Sequence, residues 1–312
     1  FRDRARSSLI NTVSQILGKG ESSGLVLGMA FGFNDLLSRE TEEAFKRVGL
    51  AHLLVVSGTQ VSLVFVSTAF IFSKVLSIFP LNLLLKLPRA TDIFIGGVCA
   101  ALYLFFVGAE GAPLRAALST LVLILIIFLG RRVNIFSSLS TVILLMLIFE
   151  PSNLTGPSGQ LTFAALFGLS LGSLRKDRSI ICSYLHSTIL ASLLTGVVTL
   201  LWFNTFSIFG LILNPLFAPL ISLISTHGTL FALILYLLSL DPFGLCLKGI
   251  SYILKQIKFS LWDLACYEWS SIKIEDPLCK SLLILILLIP IITTSFRNLR
   301  SSFGKSYILR IY

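Results

Sequence analysis

Strongly polar side chains are scarce in the apolar parts of this chain, and those that occur there are the first candidates for chemistry. His52, Ser57, Thr59 and Gln60 stand together in the segment 49–61, whose other residues are Gly, Ala, Leu and Val. A polar group in hydrocarbon is costly unless it finds a partner. The cluster is therefore interpreted in two ways: it joins neighbouring helices by hydrogen bonds, or it lines a path for a polar solute.

Further polar residues stand at the ends of other apolar runs. Arg115 follows Glu110 and has three possible interpretations. It forms an ion pair with Glu110, it anchors the helix at the interface, or it lines the mouth of a pore. Gln160 opens a short run that is rich in small residues, where packing and function are equally reasonable interpretations. Secondary candidates are Arg131 and Arg132, which act mainly as topology signals, and Asn214, which lies in a run interrupted by proline.

Catalytic and metal-binding patterns are not found in the sequence. His186 and His227 have no histidine four residues away and no cysteine neighbours, so both are interpreted as core residues. A membrane-embedded, lipid-modifying enzyme would need His52 and Ser57 in one cavity with an acidic group, and a spacing of five residues offsets them around a helix. The chain is predicted to be no enzyme and to need no metal and no cofactor.

The elements that position these residues follow from composition. Of 312 residues 55% are hydrophobic and only 13% charged, with a mean hydropathy of +0.92. Apolar runs of about 17 to 25 residues recur, which is the length that spans a bilayer as a helix. The predicted fold is all-α: a polytopic integral membrane helical bundle of roughly 8–10 transmembrane or re-entrant helices, with interfacial amphipathic helices.

Charge sets the predicted topology. Loops that carry Lys and Arg alternate with loops that carry Glu110, Glu150 or Asn204, so the basic loops are cytoplasmic and residues 1–49 external or interfacial. Ser38 is predicted to cap a short surface helix that ends at Gly49. Residues 50–300 form the transmembrane domain, with an interfacial amphipathic segment at about 241–277, and 301–312 form a basic cytoplasmic tail. The predicted spans are 50–73, 93–109, 111–130, 133–149, 160–174 and 179–203, then one or two in 206–240 and one at 278–296.

Several motifs in order resemble one known family. Gly49-Leu50-Ala51-His52-Leu53-Leu54-Val55-Val56-Ser57-Gly58 resembles the "GLAHLLAISGLH" signature of the ComEC-type competence proteins. Leu114-Arg115-Ala116, Gly130-Arg131-Arg132, Glu150-Pro151 and Ser158-Gly159-Gln160-Leu161-Thr162-Phe163 resemble the family's "RA", "GRR", "DP" and "GFQLSF" motifs. The family's "SGLH" reads Ser57-Gly58-Thr59-Gln60 here, so a histidine is replaced by Gln60.

The resemblance implies a function. It suggests a channel, multi-pass in the bacterial inner (plasma) membrane, that conducts single-stranded DNA into the cytoplasm during natural transformation. Implied partners are single-stranded DNA, membrane lipid and other DNA-uptake proteins, and a homo-oligomer stays open. The family's metallo-β-lactamase-like, nuclease-type domain is not visible in this sequence. The alternative is a small-solute secondary transporter that uses the broken run around Asn214 and Pro219.

Overall fold

A computed structural model describes residues 2–78, 91–108, 156–173 and 179–308, with scattered positions between 114 and 148. The described residues are almost entirely helical. Among these residues, four helices are long and apolar enough to cross a membrane, at Gln60–Ser77, Ile180–Phe203, Ala218–Leu237 and Pro277–Ser295, and a shorter apolar helix covers Thr91–Val107. The protein is therefore an all-α polytopic membrane protein, as predicted.

The helices, numbered over the described residues, divide between two compact units. Unit 1 lies within 1–46, 50–149 and 218–264, and unit 2 within 47–49, 150–217 and 265–312. Unit 1 contains α1 (Arg2–Leu17), α2 (Glu21–Phe31), α3 (Arg39–Arg47), α4 (Gly58–Ile78), α5 (Thr91–Val107), α9 (Ala218–Ser222), α10 (Thr229–Leu237) and α11 (Leu245–Ala265), whose limits extend one residue past the unit at α3 and α11. Unit 2 contains α6 (Pro157–Ser173), α7 (Ile180–Phe203), α8 (Ile208–Leu216) and α12 (Pro277–Ile308).

Helix α2 lies at the centre of unit 1. Every residue from Ser23 to Phe31 is buried, because the segment contains only small and apolar side chains after Glu21. Gly24 allows close packing, since a Cβ there would lie 2.6 Å from the Leu36 carbonyl oxygen. Gly32 ends the helix in the left-handed conformation (φ 75°). The helix belongs to the region 1–49 that is predicted to be external or interfacial, and within unit 1 other residues of the protein cover it.

Two other predictions for unit 1 change in detail. The first span does not begin at Leu50: a 3₁₀ turn covers Ala51–Leu53, and α4 begins only at Gly58. The surface helix is confirmed as α3, and the Ser38 hydroxyl accepts a hydrogen bond from the Thr41 N–H at 3.3 Å.

The run 206–240 is broken, as predicted. Helix α8 contains Pro215 and ends at Leu216, and a second helix begins at Ala218. This second helix is continuous to Leu237, but Leu223–Gly228 form a π-helical turn between α9 and α10. A π-turn widens the helix by one residue per turn and is often found at functional sites.

Helix α11 covers the centre of the segment predicted at about 241–277. Its inward face contains Leu247, Leu254 and Leu261, each at most 5% exposed. Ser251 is also buried and Lys258 is largely so, with 14% of its side chain exposed. Lys248 and Lys255 are exposed on the same helix, so the polar residues of α11 differ in burial. The interfacial position of the segment stays a prediction.

Unit 2 is organised around the pair α6 and α7. Gly168 and Gly172 lie four residues apart on α6, and a Cβ on Gly168 would lie 2.5 Å from the Ala191 Cα. Small residues at this spacing let membrane helices approach closely. A two-stranded antiparallel sheet joins β1 (Thr205–Ser207) to β2 (Ser271–Lys273), with Phe206 opposite Ile272. Helix α12 contains Pro290 and continues to Ile308, into the segment predicted as a tail.

Candidate functional site

The signature segment 49–61 changes direction before it enters α4. Gly49 has φ 82°, which a residue with a side chain rarely adopts. The Leu50 N–H donates to the Phe45 carbonyl at 2.8 Å and closes the end of α3. His52 lies in the following 3₁₀ turn and is exposed. His52 therefore lies outside α4, the helix that contains Gln60.

Ser57 and Gln60 form a capping box at the start of α4. The Gln60 Oε1 accepts from the Ser57 N–H at 2.8 Å, and the Ser57 hydroxyl accepts from the Gln60 N–H at 3.4 Å. A Ser followed three residues later by Gln is the sequence pattern for this reciprocal cap. The pattern was present in the sequence, and it explains why the helix begins here.

Gln60 also caps the end of the buried helix α2. Because Gly32 turns the chain, the last carbonyls of α2 have no donors within the helix. The Gln60 Nε2 donates to the Met29 carbonyl at 2.8 Å, and the Tyr103 hydroxyl donates to the Ala30 carbonyl at 2.6 Å. Gln60 is only 1% exposed. This geometry gives it a positioning role in unit 1, and a role in lining a path stays a prediction.

A second group of polar side chains in unit 1 lies at the π-turn Leu223–Gly228 and next to it. The His227 Nε2 and the Ser67 hydroxyl of α4 are 2.9 Å apart. The His227 Nδ1 and the Thr229 hydroxyl are buried without a hydrogen-bond partner among the described residues. Both residues lie in the candidate span Ala218–Leu237, where such groups are costly. Sequence reasoning treated His227 as an isolated core residue, although the polar run Ser225-Thr226-His227-Gly228-Thr229 was a visible signal.

An ionic cluster holds α11 against the N-terminal helices within unit 1. The Glu21 carboxylate lies 2.6 Å from the Lys258 Nζ and accepts hydrogen bonds from the Ser38 and Thr41 hydroxyls. Burial opposes ionisation of Glu21, but the bonds from Lys258, Thr41 and Ser38 outweigh it and lower the pKa of the carboxyl below its ordinary value of 4.5. The cluster connects α2, α3 and α11, so it fixes the orientation of α11.

Unit 2 contains two of the residues that the sequence predicts to be functional. The Gln160 Oε1 accepts a hydrogen bond from the Trp202 indole N–H at 2.8 Å, which joins α6 to α7. The Asn214 Oδ1 is buried and has no hydrogen-bond partner among the described residues. Beside it, the Pro215 carbonyl accepts from the Tyr184 hydroxyl at 3.0 Å. Asn214 therefore stays a candidate for contact with a solute.

The remaining candidates are less defined. Thr59 lies in the first turn of α4, and Arg115, Arg131 and Arg132 lie outside the described residues. Over the described part of the chain, no group of three or more His, Cys, Asp or Glu side chains comes together as a metal site would require.

Comparison with known proteins adds two findings. The family profile described as "Competence: Competence protein" matches residues 29–299. The chain is also 24% identical over 274 residues to "ComE operon protein 3" of Bacillus subtilis (strain 168), an alignment that covers 87% of this chain and 34% of that protein. The chain thus spans about a third of the length of this relative. No solved structure matches it.

Proposed function

We propose that this chain, which belongs to the ComEC-type competence protein family, conducts single-stranded DNA across the inner membrane during natural transformation. The observation that carries the proposal is the family match over residues 29–299. The partners proposed with it are the DNA strand, the surrounding lipid and the other proteins of the uptake machinery. The role is transport, and no catalytic step is assigned to this chain.

The physical properties of the chain support this proposal. A DNA strand carries one charge per nucleotide, so its passage needs polar and cationic groups in a protein that is otherwise apolar. Polar groups occur within the candidate spans of unit 1, at Ser67 and His227. In unit 2 a buried polar group, Asn214, lies on the short helix α8. The formal net charge of +10 favours a polyanionic cargo.

The experiment is a transformation assay in the native host with the gene deleted. We expect surface-bound DNA to persist while nuclease-resistant, internalised DNA is lost, and a plasmid copy to restore it. The control is a plasmid that carries Ser62→Ala, because Ser62 is exposed on α4 and has no part in the capping box. Undiminished internalisation in the deletion strain would contradict the proposal.

The broken run around Asn214 supports a second candidate, a secondary transporter for a small solute. Discontinuous helices commonly form solute sites in such transporters. This candidate predicts that the deletion strain loses uptake of a small solute and keeps its transformation frequency. The same strain therefore separates the two functions.

A further inference from the structure

The apolar side of helix α11 packs against the rest of unit 1. Leu247, Leu254 and Leu261 face the interior of unit 1, and Lys258 points the same way to reach Glu21. A helix that lies on a lipid surface by itself keeps its apolar face for the lipid. In α11 Leu247, Leu254 and Leu261 are already covered, although Leu245 and Ile253 stay exposed. The outward face is therefore interpreted from its own side chains.

The outward face of α11 alternates cationic and aromatic side chains. Five residues follow one another at spacings of four, three, four and three, which places them on one side of a helix. They are Lys248, Tyr252, Lys255, Phe259 and Trp262, and we call them the cation–aromatic stripe. The stripe is about 21 Å long at 1.5 Å per residue. Its rings are exposed by 65% at Tyr252, 58% at Phe259 and 38% at Trp262.

The two lysines of the stripe keep their charge available. Lys248 and Lys255 are exposed and form no ion pair with another described residue, whereas Lys258 is paired with Glu21. The nearest acid before the helix, Asp241, accepts hydrogen bonds from the N–H groups of Leu245 and Cys246 at the helix start and also interacts electrostatically with Lys248. Asp263 lies in the last turn of α11, next to Trp262. The middle of the stripe is therefore positive.

The stripe lies on the side of unit 1 that contains the N-terminal helices. The ion pair between Glu21 and Lys258 joins α11 to α2. Gly244, just before α11, approaches Ile16 of α1 so closely that a Cβ would clash with it. Residues 1–49 are predicted to be external, and that prediction places α11 in the compartment from which a strand would arrive.

We infer that the cation–aromatic stripe is a binding site for single-stranded DNA on the external side, where the strand is held before it is conducted inward. Lys248 and Lys255 contact phosphates, and Tyr252, Phe259 and Trp262 stack on bases. Cations interleaved with exposed rings bind single strands without sequence preference, because every base has a stacking face. The inference rests on the proposed function for the identity of its ligand.

The test measures strand binding by the purified chain in nanodiscs of neutral phosphatidylcholine. The probe is a fluorescein-labelled oligo(dT), and its anisotropy is followed at several salt concentrations. For the double variant Lys248→Gln/Lys255→Gln we expect the slope of log K against log salt to be smaller by about 1.4, which is about 0.7 for each lost phosphate contact. For Tyr252→Ala and Phe259→Ala we expect binding weaker by about 5- to 150-fold each.

Two control variants alter exposed residues outside the stripe. Lys19→Gln removes a positive charge elsewhere in unit 1, and Gln256→Ala changes the adjacent face of α11. Both should bind oligo(dT) as the unchanged protein does. All variants should unfold at the same denaturant midpoint, since none of these side chains is buried.

Two results would overturn the inference: no binding of oligo(dT) by the unchanged protein, or an unchanged salt slope in the double lysine variant. In the latter case the fluorescence of Trp262 is measured, in protein that also carries Trp202→Phe and Trp269→Phe so that Trp262 is the remaining tryptophan. Quenching of Trp262 by brominated lipid would assign the stripe to the membrane surface instead. Failure of the inference is separate from failure of the proposed function, because DNA internalisation by the deletion strain tests the proposed function without involving the stripe.

Discussion

Gln60→Leu is expected to destabilise unit 1 strongly, although the two side chains are similar in size. Gln60 is 1% exposed and makes two hydrogen bonds of 2.8 Å, from its Nε2 to the Met29 carbonyl and to its Oε1 from the Ser57 N–H. Each bond contributes about 1 kcal/mol net, and each buried backbone group left without a partner costs about 1–3 kcal/mol. Partial rehydration and the smaller hydrogen-bond values measured in membranes reduce the sum. We expect a loss of about 2–4 kcal/mol.

The assay is denaturant unfolding of the purified protein in detergent, followed by tryptophan fluorescence, alongside transformation frequency. Ser62→Ala is the matched control on the same helix and should be neutral. Tyr103→Phe, which removes the bond to the Ala30 carbonyl, should cost about 1 kcal/mol. Normal stability of Gln60→Leu combined with lost DNA uptake would refute the capping argument and would make Gln60 a residue that contacts the strand.

Three further predictions concern the packing of each unit. The folded-state pKa of Glu21 lies below 4.5, so its ion pair stabilises the protein at neutral pH and loses this effect as the pH falls through that lower pKa. Glu21→Gln should therefore lower the free energy of unfolding by about 1–3 kcal/mol at pH 7. In unfolding curves the difference in free energy between the variant and the unchanged protein should disappear below pH 4.5. Gly172→Val should unfold unit 2 at lower denaturant, because its Cβ would clash with Ser187, whereas Gly249→Ala should be neutral or stabilising by about 0.5–1 kcal/mol since a Cβ there meets nothing within 4 Å. Lys280→Met should weaken the C-terminal end of α7, because the Lys280 ammonium donates to the Leu201 carbonyl at 3.2 Å. Hydrogen exchange should show faster exchange of the amides in the last turn of α7, and unchanged protection of these amides would contradict the prediction.

Hydropathy predicted the fold class and most of the helices that the structure describes. The predicted spans 93–109, 160–174 and 179–203 correspond to α5, α6 and α7 within three residues at each end. This agreement follows from the length rule, because a bilayer requires about 20 apolar residues in a helix. The break near Pro215 was also predictable, since proline removes a backbone donor.

Tertiary packing was not predictable from the same patterns. Helix α2 is too short to span and has no polar face, so only the structure reveals that other helices of unit 1 surround it. Gln60 was singled out because it is polar in an apolar run, yet its partner, the Met29 carbonyl, is 31 residues away in sequence. Likewise, a helical projection of α11 identifies its lysines but does not determine which of them an acid such as Glu21 will pair with. Long-range partners decide these roles, and a single sequence does not contain them.

The most direct test of the central claim is strand transport by the purified chain in sealed vesicles. Labelled oligo(dT) is added outside proteoliposomes, and the fraction that becomes resistant to external nuclease is measured against empty vesicles and against vesicles containing the Gln60→Leu protein. The account predicts nuclease-resistant strand only with the folded, unchanged chain. Resistance no greater than in empty vesicles, from protein with an intact unfolding transition, would contradict it.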